Sequence, residues 1–286
     1  MDRERLDATL KARGLFPTRS AARGAIIRGD VLVDGRRELR PGRRVDPDSE
    51  LEIMAPTPVG RGALKLQGAL ERFGLDLSGK AILDVGASTG GFTETLLHAG
   101  ASRVWAVDVG RRQLHPDLRE DPRVVNLEGT DIRRLEPEML DAPIDAVTVD
   151  VSFISLEKVL PSLAGILSPG VPVIALVKPQ FEAGPRDVGG GGIVRDPETQ
   201  VKVLRSFLDE AAGRDFHPEI LVLSPILDPD ANLEFFALLW YAGVPAHRGV
   251  LDPSDFCDVA RRVVDDAWVK KQGWRDRWEK WTTETK

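Results

Sequence analysis

Hydrophobic positions recur with two different periods along this chain, and the changes of period mark its segments. Leu6 and Leu10 stand four apart, and Ala21, Ala22, Ala25 and Ile26 repeat at helical spacing behind the cap-type residues Thr18 and Ser20. Two short helices are predicted there. The pattern then shifts to VLVDGRREL, where Asp34-Gly35 signals a hairpin, and to SELEIM after Pro41-Gly42 and Asp46-Pro47. Residues 1–55 therefore read as two helices followed by a small sheet. APTPVGRG, rich in Pro and Gly, has no periodicity and reads as a linker over residues 56–63.

Beyond the linker, LKLQGALERFG places Leu66, Ala69, Leu70 and Phe73 on one helical face. Apolar runs follow: AILDVG, RVWAVDVG, RVVNLEG, DAVTVDVSF and VPVIALVKP, separated by helical segments such as FTETLLHAG and SLEKVLPSLAGILS. Such runs are what a parallel sheet covered on both faces requires, so residues 64–243 are predicted to form a doubly wound α/β domain. After a helix near residues 198–213, EILVLSPI and NLEFFALLWYAG leave no room for another crossover helix. The last strands should therefore pair antiparallel, an ending that suggests a Rossmann-like, methyltransferase-type sheet. Residues 244–286 carry Trp268, Trp274, Trp278 and Trp281 among alternating charges and read as a helical extension that packs its tryptophans on the preceding domain.

Composition narrows the class. A hydrophobic fraction of 42% with 29% charged residues is ordinary globular composition and excludes a wholly disordered chain. The single cysteine, Cys257, offers neither an internal disulfide nor a cysteine zinc site, and His98, His115, His217 and His247 lack ligand spacing, so no metal is expected. The N-terminus has no apolar core of a signal peptide, and no stretch approaches the roughly 18 apolar residues that span a bilayer. The expected setting is the cytoplasm, without membrane attachment. The net charge of −6 hides an asymmetry: residues 1–60 hold 12 Lys and Arg against 10 Asp and Glu, and 11 of those 12 cations are arginines. The planar guanidinium suits phosphate, so a polyanion-binding module is expected at this end.

The sharpest motif is ILDVGASTGGF, in which an apolar strand runs through Asp84 into Gly86, Gly90 and Gly91 before a helix. A dinucleotide fingerprint needs glycine where Ser88 stands, and a Walker loop needs Gly-Lys-Ser/Thr where Gly91-Phe92-Thr93 stands. The pattern D-x-G-x-x-x-G-G instead resembles the first motif of S-adenosylmethionine-dependent methyltransferases. The candidate cofactor residues are Asp84, Gly86, Ala87, Ser88, Thr89, Gly90, Gly91 and Phe92. Asp108, 22 residues after Gly86 and ending RVWAVDVG, stands where ribose hydroxyls are accepted, and Asp131 in EGTDIRR could accept from the adenine amino group.

Polar residues also end or interrupt the apolar runs: Asp150 in VTVDVSFIS and Lys178 in IALVKPQFE at the ends of adjacent strands, Glu234 in NLEFF on the final strand, and Lys65 in RGALKL opening the helix before the first strand. With these segments the sequence resembles the hemolysin A-like TlyA family, over roughly residues 3–240. The carrying stretches are RLDATLKARGLFPTRSAARGAIIRGDVLVDG, GRGALKL, LDVGASTGGFTETLL, VWAVDVG, VDVSFISLEKVLP, ALVKPQFEAG and NLEFF. Gly60 and Ala63 depart from the family's usual serine and glycine, and the tail beyond about residue 243 has no counterpart in the resemblance.

The resemblance implies a small α+β S4 RNA-binding domain joined to an FtsJ-type methyltransferase domain. It implies methyl transfer from S-adenosylmethionine to ribose 2′-hydroxyls of ribosomal RNA, with cytidine as the target. It further implies a Lys-Asp-Lys-Glu tetrad whose matching positions are Lys65, Asp150, Lys178 and Glu234. Lys178 is either the base that takes the hydroxyl proton or a charged donor that orients the hydroxyl. The expected partner is ribosomal RNA or a ribosomal subunit, met by a monomer. The alternative is a non-catalytic S4-type RNA-binding protein with a degenerate methyltransferase fold.

Arg19 and Arg23 are four apart on the second predicted helix, hence on one face. With Arg5, and with Arg28 and Arg36 around the helix end and hairpin, they form the candidate RNA surface. The competing reading is a solvated face paired with Asp30, Asp34 and Glu38. The loop QFEAGPRDVGGGGIVRDP, with Gly189 to Gly192, is either a lid over RNA or a plain surface loop.

Overall fold

The structure, a computed structural model, describes residues 3–16, 19–28, 31–38, 40–53, 61–184, 187–189, 191–227 and 231–284. The chain divides into two compact units, one formed by Met1–Val59 with His115–Pro122 and the other by Gly60–Leu114 with Arg123–Lys286. The first break falls inside the stretch whose composition marks a linker.

In the N-terminal unit, β1 (Glu4–Arg5) leads into α1 (Leu6–Ala12) and α2 (Arg19–Arg28). Then come β2 (Val31–Val33), β3 (Arg36–Arg37), β4 (Arg44–Val45) and β5 (Leu51–Ile53). A three-stranded antiparallel sheet has the order β3-β2-β5, and β1 pairs with β4. Asp34 and Gly35 both adopt positive φ, 53° and 72°, between Val33 and Arg36, as the Asp-Gly signal predicts for a two-residue hairpin turn. Leu6, Leu10, Ala22, Ala25, Ile26, Val31, Val33 and Val45 form the core of this unit, so both helices bury the residues their spacing predicts except Ala21, whose side chain lies outside the described residues. Thr18, one of the residues read as a cap, lies outside the described residues, and Ser20 lies inside α2.

The larger unit opens with α3 (Arg61–Phe73), which begins inside the expected linker. Its elements continue as β6 (Ala81–Val85), α4 (Gly91–His98), β7 (Arg103–Asp108), β8 (Val124–Glu128) and β9 (Ala146–Val149), with α5 (Pro116–Glu120) belonging to the other unit. They end with α6 (Leu160–Ala164), β10 (Pro172–Val177), α7 (Pro179–Glu182), α8 (Pro197–Ala212), β11 (Phe216–Leu223), β12 (Phe235–Tyr241) and α9 (Phe256–Glu284). The seven-stranded sheet runs β11-β12-β10-β9-β6-β7-β8. β8, β7, β6, β9 and β10 are parallel, and β12 pairs antiparallel with both β10 and β11. This is the doubly wound sheet with an antiparallel ending that the sequence predicts.

Alternate strand residues bury on opposite faces. Leu83, Val85, Trp105, Val147, Val149, Val173 and Val177 join α8 and α9 in one core cluster, while Phe92 of α4 stacks on Phe236 of β12, centroids 6.0 Å apart. α8 starts cleanly because Asp196 caps the Thr199 amide at 3.0 Å and Pro197 needs no amide partner. The expected helix across SLEKVLPSLAGILS is instead a 3-10 turn at Leu156–Lys158 followed by the short α6; Pro161 has no amide to carry an unbroken helix through that point. The C-terminal extension begins as core: Phe256, Val259, Ala260, Val264 and Ala267 of α9 are buried in the main cluster, and the Trp268 indole donates to Gln200 at 3.0 Å. The side chains of Trp274, Trp278 and Trp281 lie outside the described residues.

In this sheet order the chain leaves β6 in one direction to β7 and β8, then returns on its other side to β9 and β10. The crevice at the carboxyl ends of β6 and β9 is the topological switch point, where open α/β sheets bind ligands.

Candidate active site

The glycine loop leaves β6 at that switch point. Gly86 has φ +87°, and a Cβ there would lie 2.2 Å from the Asp150 carbonyl oxygen. Glycine is therefore required for the closeness of two strand ends, one carrying the loop and the other a candidate catalytic carboxylate. The loop satisfies many of its own amides. Gly86 and Ala87 donate to the Val107 carbonyl at 2.8 and 3.1 Å, Gly90 donates to the Ala87 carbonyl at 2.8 Å, and Ser88 donates to the Asp108 carboxylate at 2.8 Å. Those amides do not converge as a phosphate nest, which fits a ligand that brings no pyrophosphate.

Asp108 ends β7. One of its oxygens accepts from the Ser88 amide and the other from the Gly110 amide at 2.7 Å, and each keeps lone-pair capacity for a ribose hydroxyl. Asp131 caps the turn that follows β8, accepting the Arg133 amide at 3.0 Å, and Arg133 also forms an ion pair with it at 2.5 Å. Hydrogen bonds from Arg133 hold its carboxyl below the usual range. Together the loop and Asp108 fit an adenosyl group carrying a zwitterionic amino acid.

Two residues of the motif sit elsewhere than expected. Phe92 is 3% exposed with its ring on Phe236, so it serves packing. Asp84 is fully buried and accepts from the hydroxyls of Thr93 at 2.6 Å and Thr148 at 2.9 Å. Burial raises its pKa to about 6, against the lowering effect of those hydroxyls and with the Asp150 charge adding to the rise. It ties β6, α4 and β9 together beneath the crevice. Sequence spacing could not reveal this, because a strand residue one position from the end faces the interior.

The four residues of the proposed tetrad come from distant segments and form ion pairs. Lys178, directly after β10, lies 2.6 Å from Asp150, directly after β9. Lys65, in the second turn of α3 rather than at its start, lies 2.5 Å from Glu234, one residue before β12. The β10–β12 register ends at Val177 opposite Phe235, so its next step sets Lys178 across from Glu234. The side chains are between 11% and 21% exposed, sheltered from solvent yet reachable.

Sequence reasoning missed two neighbours. Ser152 accepts from the Lys178 ammonium at 3.0 Å. Phe153 is 91% exposed with φ +64°, a left-handed backbone that costs a bulky residue about 1–3 kcal/mol. Its ring meets that of Phe181, centroids 5.1 Å apart. The signal was the aromatic residue three positions after Asp150, in a loop where an apolar side chain has no core to enter. The glycine-rich loop is anchored at one end: Asn232 accepts from the Val194 amide and donates to the Gly192 carbonyl, both at 2.8 Å. Gly190 lies outside the described residues.

In the N-terminal unit, Arg5 and Arg19 flank Asp7 at 2.9 and 3.2 Å, and Asp7 is only 3% exposed. Burial would raise its pKa, but the hydrogen bonds from both arginines outweigh that and lower it. Arg23 and Arg36 are exposed, and Arg28 ends α2 with its side chain outside the described residues. Asp34 accepts the Glu50 amide at 2.9 Å, and Glu38 pairs with Arg40 and Arg43. Asp30 lies outside the described residues.

Comparison with known proteins matches this arrangement. The FtsJ-like methyltransferase family model covers residues 58–241 and the S4 domain model covers residues 4–51. The 16S/23S rRNA (cytidine-2′-O)-methyltransferase TlyA of Mycobacterium tuberculosis is 44% identical over 241 residues, 83% of this chain and 89% of that protein. A candidate rRNA methyltransferase of Bacillus subtilis, YqxC, is 43% identical over 268 residues, 93% of this chain and 94% of that one. The solved structure of a candidate hemolysin from Streptococcus thermophilus superposes with a TM-score of 0.68 at 37% identity, covering 96% of this chain and 99% of that chain. Alignments of that length must extend beyond residue 243, so the tail does have a counterpart among relatives. With an S4 segment preceding an FtsJ-like segment, and this identity held over most of both chains, the chain belongs to the TlyA family of S4-bearing, FtsJ-like methyltransferases.

Proposed function

We propose that this chain transfers a methyl group from S-adenosylmethionine to the ribose 2′-hydroxyl of a cytidine in ribosomal RNA. The observation that carries the reading is the pairing of Lys178 with Asp150 and of Lys65 with Glu234 beside a glycine loop whose amides are largely consumed internally. The relatives' names carry the substrate class: the Mycobacterium tuberculosis protein is an rRNA (cytidine-2′-O)-methyltransferase. A degenerate, purely RNA-binding descendant would have no need to keep both lysine–carboxylate pairs sheltered in the crevice.

When bound, the cofactor supplies an electrophilic sulfonium methyl. Asp108 would accept from its ribose hydroxyls, and the glycine loop would shape the crevice around it. The Lys178 ammonium has three hydrogens, and Asp150 and Ser152 stand ready to accept two. The third directs the ribose oxygen, leaving that oxygen's second lone pair to attack in line. Taking up the methyl group that the cofactor would supply makes the ribose hydroxyl strongly acidic. Its proton leaves late, to water. This supports the orienting role of Lys178 over the base role, since its contacts to Asp150 and Ser152 fix the position of the ammonium at the crevice. Glu234 holds Lys65 in the same way. Phe153 offers an exposed ring on which the target base can stack.

The N-terminal unit grips phosphates through its arginines, with Arg23 and Arg36 exposed and Arg5 and Arg19 braced on Asp7. Phosphate contacts position the RNA without reading it. Among the described residues no helix is long and apolar enough to cross a membrane. The enzyme works as a cytoplasmic monomer on ribosomal subunits. The test is transfer of labelled methyl to ribosomal RNA from cells lacking the activity, followed by nuclease digestion and mass spectrometry. The expected product is 2′-O-methylcytidine; absence of label, or label on a base, defeats the proposal.

A further inference from the structure

Past the end of their ladder, β9 and β10 continue into separate loops, and the two loops are joined at successive points. Lys178 contacts Asp150 and Ser152; Phe181 meets Phe153; Glu182, the last residue of α7, accepts from the Ser155 hydroxyl at 2.7 Å and from the Leu156 amide at 2.9 Å. The contacts advance together along both loops, with the catalytic pair at one end and Glu182 at the other. Ser155 is itself locked, because its oxygen also accepts the Glu157 amide at 3.1 Å and so caps the following turn.

Leu156 itself is buried in the main core, but the packing beside the clasp is incomplete. Behind Glu182 and Ser155 lies a cavity of about 240 Å³, lined also by Glu157, Lys202, Phe207 and Glu210. The loop between them carries Phe153 in a left-handed conformation that must be restrained from both sides to persist. The Lys178 cluster restrains it on one side, and on the other Glu182 acts together with the burial of Leu156. Burial raises the pKa of this carboxyl, against the hydrogen bonds from Ser155 and Leu156 that lower it.

We propose that Glu182 is a positioning residue for methyl transfer, its carboxylate clasping the Asp150–Leu156 loop at the distance from Lys178 that the reaction needs. The proposal rests on the methyl-transfer reading above. It is distinct from the tetrad, since Glu182 touches neither lysine and acts through Ser155 and Leu156.

The test compares full-length wild type with E182A, E182Q, S155A, the E182A/S155A double variant and E157Q. Steady-state methyl transfer to ribosomal RNA is measured alongside amide hydrogen exchange at residues 151–156. E182A should lower kcat about a hundredfold, because misplacing the reacting groups by about an ångström has that effect. KM for RNA, set by the arginines, and Kd for S-adenosylmethionine should stay within about twofold. E182Q, whose amide still meets both partners, should recover most of the loss; S155A should lower kcat about tenfold, and the double variant should be no worse than E182A. E157Q, which removes the neighbouring charge without touching the clasp, should match wild type. The Leu156 amide should exchange faster in E182A. If wild type methylates RNA and E182A keeps its kcat, or the double variant is additive, or the loss lies wholly in KM, the positioning role is wrong. If E182A does not fold, E182Q and S155A decide: equal kcat to wild type in both overturns it. If wild type transfers no methyl, the functional reading falls, and unchanged Leu156 exchange in E182A would separately overturn the clasp.

Discussion

The two units treat their charges in opposite ways. Each buries a carboxylate: Asp7 in the N-terminal unit and Asp84 in the larger one, 3% and 0% exposed. Asp7 is met by two guanidinium groups and its pKa falls; Asp84 is met by two hydroxyls and its pKa rises to about 6. Burial acts on both, and what decides the sign is whether the partners carry charge. The cations differ too. Lys65 and Lys178 of the larger unit are sheltered, each against its own carboxylate, whereas the guanidiniums that brace Asp7 remain 49% and 53% exposed. In-line transfer needs one fixed geometry, and a phosphate grip tolerates side chains that adapt.

Removing a fixed cation should have the largest effect. Lys178→Ala is expected to lower kcat about a thousandfold while the Kd for S-adenosylmethionine, by calorimetry, changes less than about twofold. Retained single-turnover activity would show that the sheltered pair is structural only.

The buried carboxylates come next, because their linkage signs are opposite. Asp84 has a folded pKa above its ordinary 3.8, so its contribution is fully present below that value and is lost as pH rises through about 6. Asp7 has a lowered pKa, so its contribution is present above the ordinary carboxylate range and is lost as pH falls through the folded value. Over the rise from acid to neutral pH, urea unfolding should show Asp84→Asn gaining about 3 kcal/mol relative to wild type. Asp7→Asn should show its deficit grow over the same rise. Parallel curves for Asp84→Asn and wild type would refute the difference between the carboxylates.

The exposed cations should give the smallest effect. Arg23→Glu with Arg36→Glu spares the Asp7 ion pairs and should weaken ribosomal RNA binding about tenfold at low salt, less at high salt. Cofactor affinity and kcat at saturating RNA should hold. Unchanged RNA binding in filter or anisotropy titrations would move the RNA surface elsewhere.

Much of this architecture was legible in the residue pattern. Local spacing placed the Asp34-Gly35 hairpin, the parallel strands and the antiparallel ending, since each follows from a period or a turn residue acting over a few positions. The residues of the proposed tetrad stood out as well, because Asp150 and Lys178 interrupt apolar runs where a polar group requires a reason. Other positions misled. Pro161 broke a helix whose apolar spacing was sound, and Phe92 and Asp84 belong to a functional motif while facing the interior.

Sequence by itself determined which segments become strands and helices, that the chain carries an arginine-rich module before an α/β domain, and which chemistry-bearing residues end the strands. Only tertiary structure decided who meets whom. The pairing of Lys65 with Glu234 spans 169 positions, and the register of β12 against β10 brings it beside Lys178. The same holds for Ser152 against Lys178, Glu182 against Ser155, and the Cβ-free approach of Gly86 to Asp150. The reason is physical. Periodicity records only whether a position faces core or solvent, whereas hydrogen bonds and ion pairs depend on distances of a few ångströms that exist once the sheet has closed around its core.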